Sequence, residues 1–120
     1  MVVGKREPAR ARDALIMRGT ALGNPFRMRR EAERDAVCDA YADWVVGAEP
    51  AHRVAARWAH RGRALWVVER AARVTLAARV CALSELATRV RRGESVRLRC
   101  HCAPKRCHGD VVLALVRQRV

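Results

Sequence analysis

The sequence predicts a small α/β domain, a short, mainly parallel sheet flanked by helices, with a long helical insertion over 62–92. Three observations predict it. The chain has 120 residues, half of them hydrophobic, which suits one domain with one core. Two stretches read as strands, "ALIMRG" (14–19) and "SVRLRC" (95–100), and each runs into a loop dense in Gly, Pro or Cys. Between them apolar residues recur at helical spacing.

Taken in order, residues 1–12 are charged and expected to be flexible. "ALIMRG" is a short apolar run closed by Gly, as in a buried strand. "TALGNPF" (20–26) follows, where Gly23, Asn24 and Pro25 together force a turn. From about Arg29 to Val46 the pattern is helical, with Val37, Tyr41, Trp44 and Val45 on one face and Gly47 as the stop. Pro50 opens a second helix with Val54 and Trp58 one turn apart, ended by Gly62.

From Leu65 the apolar positions Leu65, Val68, Ala72, Leu76, Val80, Leu83, Ala87 and Val90 give one long helix or two collinear ones. "RRGES" (91–95) stops it. "ALWVV" (64–68) also fits a strand, because short apolar runs are ambiguous. In "SVRLRC" apolar and basic residues alternate, which places Val96, Leu98 and Cys100 on one side. "DVVLALVRQ" (110–118) closes the chain as a helix, with Asp110 as N-cap or first-turn acid.

The formal charge is +13, and 23 of the 25 basic residues are Arg, only Lys5 and Lys105 being Lys. This favours weak, salt-sensitive contact with polyanions. The Arg are dispersed from Arg6 to Arg119, however, and a GC-rich coding bias explains the same composition. No aromatic-interleaved platform for single strands stands out. Trp44, Trp58 and Trp66 are expected as core anchors, His52 and His60 as solvated. No run approaches the roughly 18 apolar residues that span a bilayer. No apolar signal segment opens the chain, so no membrane contact and an intracellular, cytoplasmic location are expected.

"RLRCHCAPKRCHGD" (97–110) concentrates three of the five cysteines with two histidines. An odd cysteine count without a secretion signal argues against a disulfide framework. The spacing C-x-C-x4-C-H admits two chemistries. Cys100, Cys102, Cys107 and His108 are the thiolate and imidazole set of a zinc site, although adjacent Cys107 and His108 must then reach one centre. Alternatively, Cys107 at a helix start beside Lys105 and Arg106 is a lowered-pKa nucleophile, with His108 as base and Asp110 orienting it. The third reading is packing, since free cysteine is among the most buried residue types. Cys38 and Cys81 are assigned to the core. In "RGTALGNPF", Arg18, Gly19, Gly23 and Asn24 form a candidate anion-binding loop, without the spacing of a dinucleotide or P-loop motif.

Together the two stretches resemble a family of small domains of unknown function, family 4326, known in phages, bacteria and large DNA viruses. The resemblance rests on a G-x3-GNPF motif (Gly19, Gly23, Asn24, Pro25, Phe26, after Arg18) and a C-x-C-x-P-x2-CHGD motif (Cys100, Cys102, Pro104, Cys107, His108, Gly109, Asp110). Members often carry an aromatic where this chain has His101, and the 62–92 region is longer than usual. If viral, the protein acts in host cytoplasm. The resemblance implies that both loops serve one site and brings no reaction with it. The expected function is a zinc- or thiolate-based domain binding or acting on a nucleotide-like anion. The alternative is a non-catalytic Arg-rich module on nucleic acid with a structural cysteine loop.

Overall fold

A computed structural model describes residues 2–3, 13–16, 19–62, 64–99 and 105–120. The main sheet has three short strands, β1 (Val2–Val3), β2 (Ala14–Leu15) and β5 (Leu98–Arg99), in the order β1-β5-β2 and all parallel. Ala14 and Val2 both stand opposite Leu98, and the Ala14 N–H donates to the Arg97 carbonyl at 2.8 Å. The alternation read in "SVRLRC" sorts the two faces. Leu98 is fully buried, while Arg97 and Arg99 turn the other way onto the Asp13 carboxylate, with Arg97 Nε 2.9 Å from Oδ1. The expected loose start therefore meets a strand at Val2–Val3; residues 4–12 lie outside the described residues.

Between β2 and β5 run β3 (Phe26–Arg27), α1 (Arg34–Val45), α2 (Ala51–His60), β4 (Trp66–Val67), α3 (Glu69–Ala72) and α4 (Leu76–Arg91); α5 (His108–Arg119) follows β5. A 3-10 turn at Glu31–Glu33 leads into α1, where Glu33 Oε1 accepts from the N–H groups of Arg29 and Arg30. Those bonds and the Arg29 guanidinium hold the Glu33 carboxyl down at about 2. Pro50 caps α2 from the extended region, as its fixed φ allows.

The long helix expected from Leu65 is broken into three pieces. Trp66–Val67 pairs antiparallel with Phe26–Arg27, and the Val68 N–H donates to the Pro25 carbonyl at 2.7 Å. Thr75 then caps α4, its Oγ1 accepting from the Ala78 N–H. A cap and a strand partner override a periodicity that ran through both. The segment packs tightly on the rest, with Leu83, Leu86 and Ala87 inside the core beside α5.

The same break corrects two core assignments. Trp66 is 52% exposed and Cys81 is exposed, whereas Trp44, Trp58 and Cys38 are buried as expected. His52 and His60 are exposed, His52 beside Glu69. Buried Phe26, Tyr41, Trp44, Val45, Leu83, Leu98 and Val112 form the heart of the core, the Phe26 and Trp44 rings meeting edge to face. Among the described residues, no helix is long and apolar enough to cross a membrane.

Candidate functional site

Parallel pairing of β2 with β5 sends the chain after Leu15 and the chain after Arg99 out of the same sheet edge. Both motif loops start there. In open α/β sheets that carboxyl edge is where ligands are held.

The start of α5 is built from the CHGD residues one by one. Cys107 is extended and is the N-cap, its Sγ accepting from the Gly109 N–H at 3.3 Å. The Asp110 carboxylate reaches back to the Cys107 N–H at 3.1 Å, closing a capping box in which sulfur takes the usual hydroxyl position. The sulfur thus sits, buried, at the positive dipole end of α5. His108 is buried, and its Nε2 donates to the Ile16 carbonyl at the end of β2. Gly109 is required by close approach: a Cβ there would lie 2.8 and 2.9 Å from the Val2 methyls and 3.0 Å from Ile16 Cδ1.

Tyr41 of α1 joins the two loops. Its ring meets the His108 ring edge to face at 4.9 Å, and its hydroxyl donates to the Leu22 carbonyl at 2.8 Å. Burial raises the Tyr41 phenol well above its ordinary value; Arg79 pulls it down and Cys107 pushes it up. In the GNPF loop, Gly19 takes a positive φ of 96°, and the Gly23 N–H closes a turn onto the Thr20 carbonyl. Asn24 Oδ1 accepts from the Phe26 N–H at 2.9 Å, an Asx turn that aims Phe26 into the core.

The cysteine loop is strapped to α1. Arg106 binds Asp35 at 2.8 Å and Asp39 at 2.9 Å, and Arg34 donates to the Arg106 carbonyl at 2.7 Å. These acids raise the Arg106 pKa above its ordinary value. Lys105 lies 3.9 Å from Glu31. The two cations that the sequence placed beside Cys107 as thiol activators are thus turned to the acids around α1.

Of the predicted site residues, Cys107, His108 and Asp110 stand together at the α5 start, and Gly19, Gly23 and Asn24 shape the loop after β2. Arg18, Cys100 and Cys102 lie outside the described residues. Among the described residues no group of three or more His, Cys, Asp or Glu side chains is placed to hold a metal ion. Sequence reasoning missed Tyr41 and Arg106 as the parts that hold the loops together. Tyr41 carried only the signal of an apolar helix position, and no local pattern pairs Arg106 with residues 35 and 39.

The model of a family described as a domain of unknown function (DUF4326) matches residues 3–118. No curated protein and no solved structure matches the chain.

Proposed function

Because the chain belongs to the DUF4326 family and its two motif loops share one sheet edge, we propose that it works through a Cys/His metal centre in the β5–α5 loop, beside a site for an anionic, nucleotide-like ligand. The observation that carries this reading is the capping of α5 by Cys107. A sulfur that accepts a helix N–H at the positive dipole end gains support as a thiolate, and a bound metal would offset the burial that otherwise keeps it a thiol.

The donor set fits zinc. Thiolate and imidazole are its usual ligands, and Cys100 and Cys102 would join Cys107 and His108. His108 Nε2 is engaged by the Ile16 carbonyl, the support that metal-bound histidines commonly have, so its bond to a metal would come from Nδ1. A zinc ion with four protein ligands would cross-link the loop and fix its shape.

Burial favours a ligand role for Cys107 over a nucleophilic one, since it is only 2% exposed and a nucleophile must meet its electrophile. Asp110 also supports the Cys107 backbone, whereas the nucleophile reading needs it on His108. For the anion, Arg18 would supply the charge and the Gly19 turn the close backbone approach, with Gly23 and Asn24 holding the loop in shape.

Cys107→Ser tests the reading cleanly, because serine is itself a good N-cap and should preserve the start of α5. The variant is expected to keep the wild-type circular dichroism and to lose bound zinc, measured per chain by elemental analysis. A serine variant that retains the wild-type zinc would contradict a thiolate centre at this position.

A further inference from the structure

We propose that Trp66, Arg27 and Arg29 form a contact site for single-stranded nucleic acid, separate from the cysteine loop. Trp66 stands on β4 directly opposite Arg27 on β3, and half of its surface is open to solvent. The Arg27 guanidinium lies 6.0 Å from the indole centroid and that of Arg29 lies 5.1 Å from it. A half-exposed indole with guanidinium groups over it is a small platform on which an unpaired base can stack, beside or in place of a guanidinium, while its phosphates meet positive charge.

The surroundings fit this ligand better than a protein partner. Among the described residues the other exposed large apolar side chains are Leu15, Val46, Val80 and Val120, all on other segments of the chain. Next to it lies an open cleft of about 540 Å³ walled by Arg29, Arg30, Glu33, Asp35, Ala64 and Leu65 among others. Its two acids are engaged, Glu33 by Arg29 at 2.8 Å and Asp35 by Arg106 at 2.8 Å, so Arg29 is itself paired and Arg27 is the cation offered to phosphate. The chain as a whole carries +13, which favours contact with polyanions in general. What distinguishes this face is the ring.

The test titrates the full chain with short oligo(dT) and oligo(U) at low salt, following tryptophan emission. Trp44 and Trp58 are buried, so quenching reports chiefly on Trp66. The expected result is quenching by both oligonucleotides, with their relative affinities showing whether DNA or RNA is preferred. Trp66→Ala should weaken binding about tenfold or more, and Trp66→Phe by much less, since a ring is retained. Arg27→Gln should lower the salt slope by roughly 0.7, the loss of one phosphate contact on a single strand. Binding that is unchanged in Trp66→Ala, or equally tight for duplex with no change in emission, would reduce the site to diffuse electrostatics and overturn the proposal.

Discussion

Arg79→Ala is expected to lower stability by about 3 kcal/mol or more, because it strips a buried cap of charged hydrogen bonds from the end of α1. Arg79 projects from α4 and is only 4% exposed. Its Nε donates to the Val45 carbonyl at 2.9 Å, and its Nη2 to those of Trp44 at 3.2 Å and Gly47 at 3.1 Å. Its Nη1 reaches the Val74 carbonyl. The guanidinium also lies 3.9 Å from the centroid of the Trp44 ring. Helix ends leave carbonyls unpaired and carry partial negative charge, so a cation here answers both needs. Burial lowers the Arg79 pKa, but an arginine stays charged at neutral pH. Alanine would leave these carbonyls buried without their donor and open a cavity under Trp44. Arg79→Met separates the two causes, since it fills the space without donating; it should cost nearly as much as alanine. Urea denaturation measures both, and a loss under about 1 kcal/mol for Met would assign the site to packing.

The second large effect is expected at Gly109. Gly109→Ala places a methyl 2.8 and 2.9 Å from the Val2 methyls, contacts that the Val2 side chain, β1 or α5 must shift to relieve. Overpacking of this kind costs about 1–3 kcal/mol. The side chain of Val2 is the obstacle, so Val2→Ala should recover part of the loss. A double-mutant cycle between the two positions is expected to show a coupling of about 1 kcal/mol in favour of the pair. Strictly additive losses would show that the glycine is needed for some other reason. The coupling also bears on the site, because β1 and the start of α5 meet at the edge where the motif loops emerge.

What could be read in the sequence was what local chemistry dictates. Alternation in "SVRLRC" gave the two faces of β5, and the Gly-Asn-Pro cluster gave the turn before Phe26. The periodicity around Val37, Tyr41 and Trp44 gave the buried face of α1. The misses share one cause: long-range partners that leave no local trace. From Leu65 onward the helical spacing was real, yet β4 found a partner in Phe26–Arg27, about forty residues earlier. That pairing turned Trp66 outward, and the cap at Thr75 started α4 with Arg79 facing inward. Val80, expected inside, is 36% exposed. The basic residues near Cys107 read locally as thiol activators, yet Arg106 is paired with Asp35 and Asp39, which are distant in sequence. In the candidate site, the capping role of Asp110 was legible, as was a helix start at Cys107. The Ile16 carbonyl that orients His108 was not, because a backbone acceptor has no sequence signature.

The most direct test of the metal centre is the metal content of the wild-type protein, purified without added metal or chelator and expressed per chain. The Cys/His centre predicts about one zinc per chain, with affinity that falls as the pH drops and protons compete for the thiolates. Protein that carries no metal, and whose thiols resist alkylation until it is denatured, would contradict the account and leave the cysteine cluster as packing.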